Sequence, residues 1–160
     1  MALFAAISIV FTRYASVMID DGTVRLGFGS IPIIFSGMIL GPLAGAFIGI
    51  VADLLGILIS PQGAFHPGLT LSSALTGLIP GLVVLILKNR GFLAALISNL
   101  LVYLIVSLAL NTLWISQLYG TPYLVLLPTR AIWQGLITVG SIAIITILLK
   151  SLKIQIKALN

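Results

Sequence analysis

Arg130 and Gln134 stand four residues apart in an otherwise apolar stretch, so a helix carries both on one face. An arginine inside such a segment faces a cavity or a countercharge. Its planar fork suits a carboxylate or the edge of a ring. The structural alternative is an arginine that snorkels to the interface. Asn99, Tyr103, Ser107 and Asn111 follow one another at steps of four, with Trp114 three further on. That spacing predicts one polar and aromatic face on an aliphatic helix, turned into a bundle rather than toward lipid. Interhelical hydrogen bonds account for Asn99 and Ser107. Asn111 and Trp114 fall near the end of the segment, where a pocket fits; Trp114 equally suits an interfacial belt.

Four more residues sit in predicted loops: Arg25, Phe28, Phe65 and His66. Cations, flat aromatics and amides gathered at one end of a bundle would suit a planar, heteroaromatic, anionic solute. Stacking supplies area, arginine supplies charge pairing, and amides read ring edges. His66, before Pro67, is either a ligand contact or a loop hydrogen-bonder. Asp53 follows Gly41, Gly45 and Gly49 at the same spacing. Such a stripe lets helix backbones approach closely in lipid. A charge there costs about 2.5–3.5 kcal/mol on insertion scales, so Asp53 requires a partner. Arg13, Arg130 or a backbone N–H are the candidates. Asp53 is then a ligand acceptor, one half of an internal ion pair, or a helix-end anchor.

Other chemistries are absent. There are no cysteines and one histidine, so neither a thiolate nor a metal cluster is available, and no cofactor is called for. No paired carboxylates or Ser-His constellation point to an enzyme. No phosphate-cradling G-x-x-x-x-G-K-[ST] motif occurs, so ATP is not bound through a P-loop by this chain.

Composition explains the setting. Only 7% of the 160 residues are charged and 60% are hydrophobic, with a mean hydropathy of +1.28. Soluble domains carry about 25% charged residues. The chain therefore reads as an integral membrane protein, a single membrane domain over 1–160. The net charge of +5 does not imply nucleic acid. Lys88/Arg90 and Lys150/Lys153/Lys157 are clusters that flank apolar runs, as membrane anchors do.

The uncharged runs 26–52, 54–87, 91–129 and 131–149, cut at Pro and Gly clusters, predict an all-α six-transmembrane-helix bundle. The segments are 2–19, 31–40, 43–59, 70–87, 92–116 and 124–151. The second is too short to span alone. Either it borders a cavity, as interrupted membrane helices do, or it starts earlier, near Val24. The side carrying both termini and the 41–42 and 88–91 turns holds five Lys/Arg and no acids, which predicts cytoplasmic termini. The loops 20–30, 60–69 and 117–123 then face outward. Segment 1 is not a convincing signal peptide, because Arg13 interrupts it and no basic region precedes it. Ala2 and Ala6 make a small-residue face that could dock another membrane helix.

Several blocks together resemble a known family. They are Gly27-Phe-Gly-Ser-Ile-Pro-Ile33, Gly41-Pro-x-x-Gly45, Ala52-Asp-Leu-Leu-Gly56, Pro61-x-Gly-x-Phe-His-Pro-Gly-x-Thr70, Asn111-Thr-Leu-Trp114 and Leu127-Pro-x-Arg-x-x-x-Gln134. The chain resembles the S components of energy-coupling factor (ECF) vitamin transporters, and within them the folate-specific FolT type. The Asp-Leu-Leu-Gly and small-residue features are shared by many S components; the Phe65-His66-Pro67-Gly68, Asn111–Trp114 and Pro128–Gln134 blocks point to folate. The resemblance implies a bacterial plasma-membrane subunit that captures folate at the outer face. It implies partners: a transmembrane coupling subunit, docked on Ala2 and Ala6, and two ATPase subunits. Arg25 would then hold the glutamate tail or close the first loop. Phe28, Phe65 and Trp114 would stack on the rings, Asn111, Arg130 and Gln134 would read the pterin edge, and His66 would make a contact or order its loop. Thiamine, riboflavin, pantothenate or a queuosine precursor would suit the same bundle with a different pocket. A ligand-free accessory subunit is the alternative of another class.

Overall fold

The computed structural model describes residues 2–13, 16–19, 24–59, 66–88 and 91–158, with side chains for 2–12, 27–59, 66–88 and 91–151. Among them are six helical rods and one short hairpin. The helices are α1 (Ala2–Arg13), α2 (Ser30–Leu40), α3 (Pro42–Ile59), α4 (Pro67–Leu87), α5 (Phe92–Tyr119) and α6 (Tyr123–Ala158). The strands β1 (Ser16–Ile19) and β2 (Val24–Gly27) pair antiparallel, with Ser16 opposite Gly27 and Ile19 opposite Val24.

The six-helix bundle agrees with the hydropathy pattern, but two boundaries do not. Segment 1 does not stay helical to Ile19. It ends at Arg13, and 16–19 becomes a strand. Hydrophobicity alone cannot separate a short apolar strand from a helix end. Here Val24–Gly27 supplies the ladder partner. The same strand rules out an early start for α2, which begins at Ser30. Pro32 falls in its first turn, where a missing N–H costs nothing.

Helix α2 organises the rest. Every residue from Ile31 to Met38 is buried, as expected of a helix that is apolar all round. It packs against α1, α3 and α4 and touches α6. Its 11 residues rise about 16 Å, roughly half of a hydrocarbon core of about 30 Å. The Ser8 hydroxyl, in the middle of α1, donates to the Gly29 carbonyl at 2.8 Å and sets the level at which α2 begins. Of the six rods, α3, α4, α5 and α6 are long and apolar enough to cross a membrane; α1 and α2 are shorter.

Helices α3 and α4 meet along a seam of small residues. A β-carbon on Gly45 would lie 2.6 Å from Gly37 Cα, and one on Gly49 would lie 2.7 Å from the Ser73 carbonyl carbon. Gly77 faces both Gly37 and Gly45, so three backbones converge there. Gly41 is not part of this stripe. It is the α2–α3 turn, with φ +97° and open space where a side chain would go. Around the seam lies one apolar core with Ile34, Phe35, Met38, Val84, Val106 and Ile145. A smaller one holds Ala5, Ile9, Ile33, Ile48 and Ala52. The outward faces carry exposed Leu43, Leu58, Ile86 and Leu124, surfaces that lipid rather than water would cover.

Candidate ligand-binding site

The seam ends in a polar pair. Asp53 Oδ2 accepts the Thr70 hydroxyl at 2.7 Å. Gly45–Gly77, Gly49–Ser73 and Asp53–Thr70 are successive rungs between antiparallel helices. The carboxylate therefore does point into the packed seam. Its described partner is a neutral hydroxyl, not Arg130, which is engaged elsewhere. Arg13, the other cation considered, has its side chain outside the described residues.

One turn before Thr70, α4 begins. His66 is its N-cap: Nδ1 accepts the Gly68 N–H at 3.1 Å. In that bond Nδ1 is the acceptor. Pro67 follows at the first helical position, where its fixed φ helps. The His66 ring lies 5.3 Å from the Trp114 ring, centroid to centroid, tilted by 31°. Gly68 sits directly against the same indole; a β-carbon there would be 2.6 Å from Cε2. The N-terminal turn of α4 thus lies against Trp114.

Trp114 stands near the end of α5. From Val102 to Leu110 this helix opens into a π-helix, whose bonds run i to i+5. The wide turn has a consequence for the four-residue spacing. A step of four overshoots one α turn but falls short of one π turn, so the drift reverses and the polar residues stay turned inward. Tyr103 donates its hydroxyl across to the Ala131 carbonyl of α6 at 2.8 Å. Asn99 is buried but does not bond to a neighbouring helix as expected; its amide donates back to Ala95 O at 2.8 Å. Asn111 Oδ1 and Trp114 Nε1 are buried with no hydrogen-bond partner among the described residues. A buried acceptor and a buried donor left open on one helix end are what a bound polar ligand would satisfy.

Arg130 meets this helix end from α6. It is 3% exposed, which removes the snorkelling alternative. Its Nε–H donates to Thr112 Oγ1 at 3.0 Å, and Nη2 lies 3.5 Å from Ser107 O. Ser107 lies on the steps of four, although it is its backbone carbonyl and not its hydroxyl that faces Arg130; Thr112 was not singled out by spacing. Thr112 neighbours Asn111 but lies off the steps of four. Gln134 is half-buried one turn along α6, and its carbonyl accepts the Thr138 hydroxyl.

His66, Asn111, Trp114 and Arg130 are therefore gathered along the last part of α5, which His66 reaches from α4 and Arg130 from α6. Phe28 is not. It lies against Gly140 of α6, ten residues past Arg130, about 15 Å along the helix. Phe65 and the Arg25 side chain lie outside the described residues; the Arg25 backbone pairs with Met18 in the hairpin. Ala2 and Ala6 are exposed on α1.

The family model for the ECF transporter substrate-specific component matches residues 1–150. The chain belongs to that family. This S component is 37% identical over 136 residues to the folate transporter FolT of Clostridium novyi (strain NT), covering 85% of the chain and 77% of that protein. A FolT of Leuconostoc mesenteroides is 24% identical over 123 residues, 77% of the chain and 65% of that protein. A crystal structure of FolT bound with folic acid superposes with a TM-score of 0.75 at 26% identity, covering 92% of this chain and 93% of that one. A structure of the S component of a bacterial ECF transporter shares the fold, with a TM-score of 0.64 at 23% identity over 95% and 94% of the two chains. The S component is thus a multi-pass membrane transport subunit and not an enzyme.

Proposed function

We propose that this S component binds folate and passes it across the membrane with a separate coupling subunit and two ATPase subunits. The observation that carries the reading is local. Asn111 Oδ1 and Trp114 Nε1 are buried and open beside the Arg130 anchor, in a chain 37% identical to a folate transporter.

In this reading Asn111, Arg130 and Gln134 engage the pterin edge. Trp114 stacks through one face, because His66 and Gly68 cover part of the ring. Phe28, much deeper along α6, would meet a different ring system from Trp114. Phe65 would be a further stacking residue. Arg25, on the hairpin strand β2, would hold the glutamate tail. His66 orders the start of α4. Asp53 is structural, tied to Thr70. Both termini face the cytoplasm, as Lys88 and Lys150 favour, and Ala2 and Ala6 form the docking stripe for the coupling subunit.

The test is a tryptophan-fluorescence titration of the purified chain with folate, thiamine, riboflavin and pantothenate. Only Trp114 and Trp133 report, and calorimetry supplies an independent affinity. Saturable quenching by folate alone, lost in Trp114→Phe while calorimetric binding persists, supports the assignment. Saturation by another vitamin would transfer the same bundle to that ligand. Silence to all four by both methods would leave an accessory subunit without a ligand.

A further inference from the structure

The π-helix in α5 leaves a carbonyl behind. Its last bond runs from Asn111 N–H to Val106 O, five residues back. Regular α spacing resumes at Asn111. When a ladder returns from five-residue to four-residue bonds, one acceptor is skipped. After Val106 the next carbonyl in line is Ser107, and the four-residue partner of Thr112 is Leu108. Ser107 O is therefore the acceptor left outside the ladder. It is not left unsatisfied: the Thr112 hydroxyl donates to it at 3.3 Å, and Arg130 Nη2 approaches it at 3.5 Å.

Thr112 does two things with one oxygen. Its single proton goes to Ser107 O, which turns its lone pairs outward, and one of them accepts the Arg130 Nε–H at 3.0 Å. Thr112 is 0% exposed and Arg130 3%. In so dry a place a charge-assisted bond is strong and its loss is expensive. The guanidinium is thus tied by its Nε edge to the helix junction. Asn111, with its open Oδ1, is the residue next to Thr112.

We infer that Thr112 is a positioning residue for ligand recognition: it plugs the carbonyl skipped at the π-to-α junction and aims Arg130 at the ligand. The inference rests on the proposed reading of Arg130 as a ligand contact. It makes the π stretch part of the site, since a straight α-helix would engage Ser107 O within its own ladder and remove the anchor.

The test is a calorimetric folate titration of the full chain carrying Thr112→Val, Thr112→Ser, Arg130→Ala and the Thr112→Val/Arg130→Ala pair. Thr112→Val keeps the shape and removes the acceptor. A loss of about 10-fold or more in affinity is expected, the scale of one charge-assisted bond. Thr112→Ser should restore binding to within a few-fold. In the Arg130→Ala background, Thr112→Val should cost nothing further. A packing role would instead cost the same in both backgrounds, and that additivity would overturn the inference. Native affinity in Thr112→Val beside a large loss in Arg130→Ala would also overturn it while sparing the binding site. No loss in Arg130→Ala would sink the site reading itself. Should Thr112→Val fail to fold, Thr112→Cys, with a weak sulfur acceptor of similar volume, carries the same comparison.

Discussion

Gly68 in the first turn of α4 lies against the indole of Trp114, with a hypothetical β-carbon 2.6 Å from Cε2. The two helix ends are in contact at a point where no side chain fits. Gly68→Ala should therefore push Trp114 aside. Overpacking of this kind costs about 1–3 kcal/mol. The expected result is a shifted Trp emission maximum together with weaker ligand binding. Adding Trp114→Ala should return the thermal midpoint of Gly68→Ala toward that of Trp114→Ala alone.

Arg130→Ala should lower folate affinity by about 10–100-fold, the range for removal of a buried charge-assisted contact. Arg90→Ala, in a basic cluster that flanks a membrane segment, should leave it unchanged. Equal losses in the two variants would refute the pocket.

Thr70→Val removes the donor to Asp53 and strands a half-buried carboxylate oxygen. The expected destabilisation is about 1–3 kcal/mol, read as a drop in thermal midpoint in detergent. Thr70→Ser should recover most of it. Asp53→Asn should be milder than Asp53→Ala, because the amide oxygen still accepts. An ion pair with Arg130 would instead make Asp53 substitutions depend on Arg130, and no such coupling is expected.

Gly77→Ala places a methyl group against the Gly45 carbonyl and the Ala46 nitrogen, in the backbone of α3. Backbone cannot move aside as a side chain can, so the loss should reach or exceed about 1–3 kcal/mol. Gly135→Ala meets only the Tyr103 ring end, at 3.4 Å, and should be near neutral.

Ala6→Leu tests the docking stripe. Ala6 is exposed on α1, so the substitution should leave folding and folate binding intact. Co-purification with the coupling subunit and folate uptake by cells should both fall. A loss of binding in the isolated chain would show that this face is internal.

Much of the bundle was legible because lipid imposes simple rules. Backbone polar groups must be paired internally, so long uncharged runs become helices. The stripe of Gly45 and Gly49 leading to Asp53 predicted a tight seam, and α4 occupies it. The misassignments share one cause. Residues 16–19 are apolar in helix and strand alike, and only their pairing with 24–27 decided between them. Asn99 illustrates the same limit, since an inward amide can bond to its own helix as readily as to a neighbour.

The sequence by itself determined the class of protein and the number of helices. Those follow from composition and spacing, which act locally along the chain. Tertiary structure alone decided that Arg130 is held by Thr112, that Asp53 answers to Thr70, and that Gly68 and His66 lie against Trp114. Each of these joins residues at least 17 positions apart, and the first depends on a change in helical pitch. No periodicity encodes such meetings; the packing of the helices does.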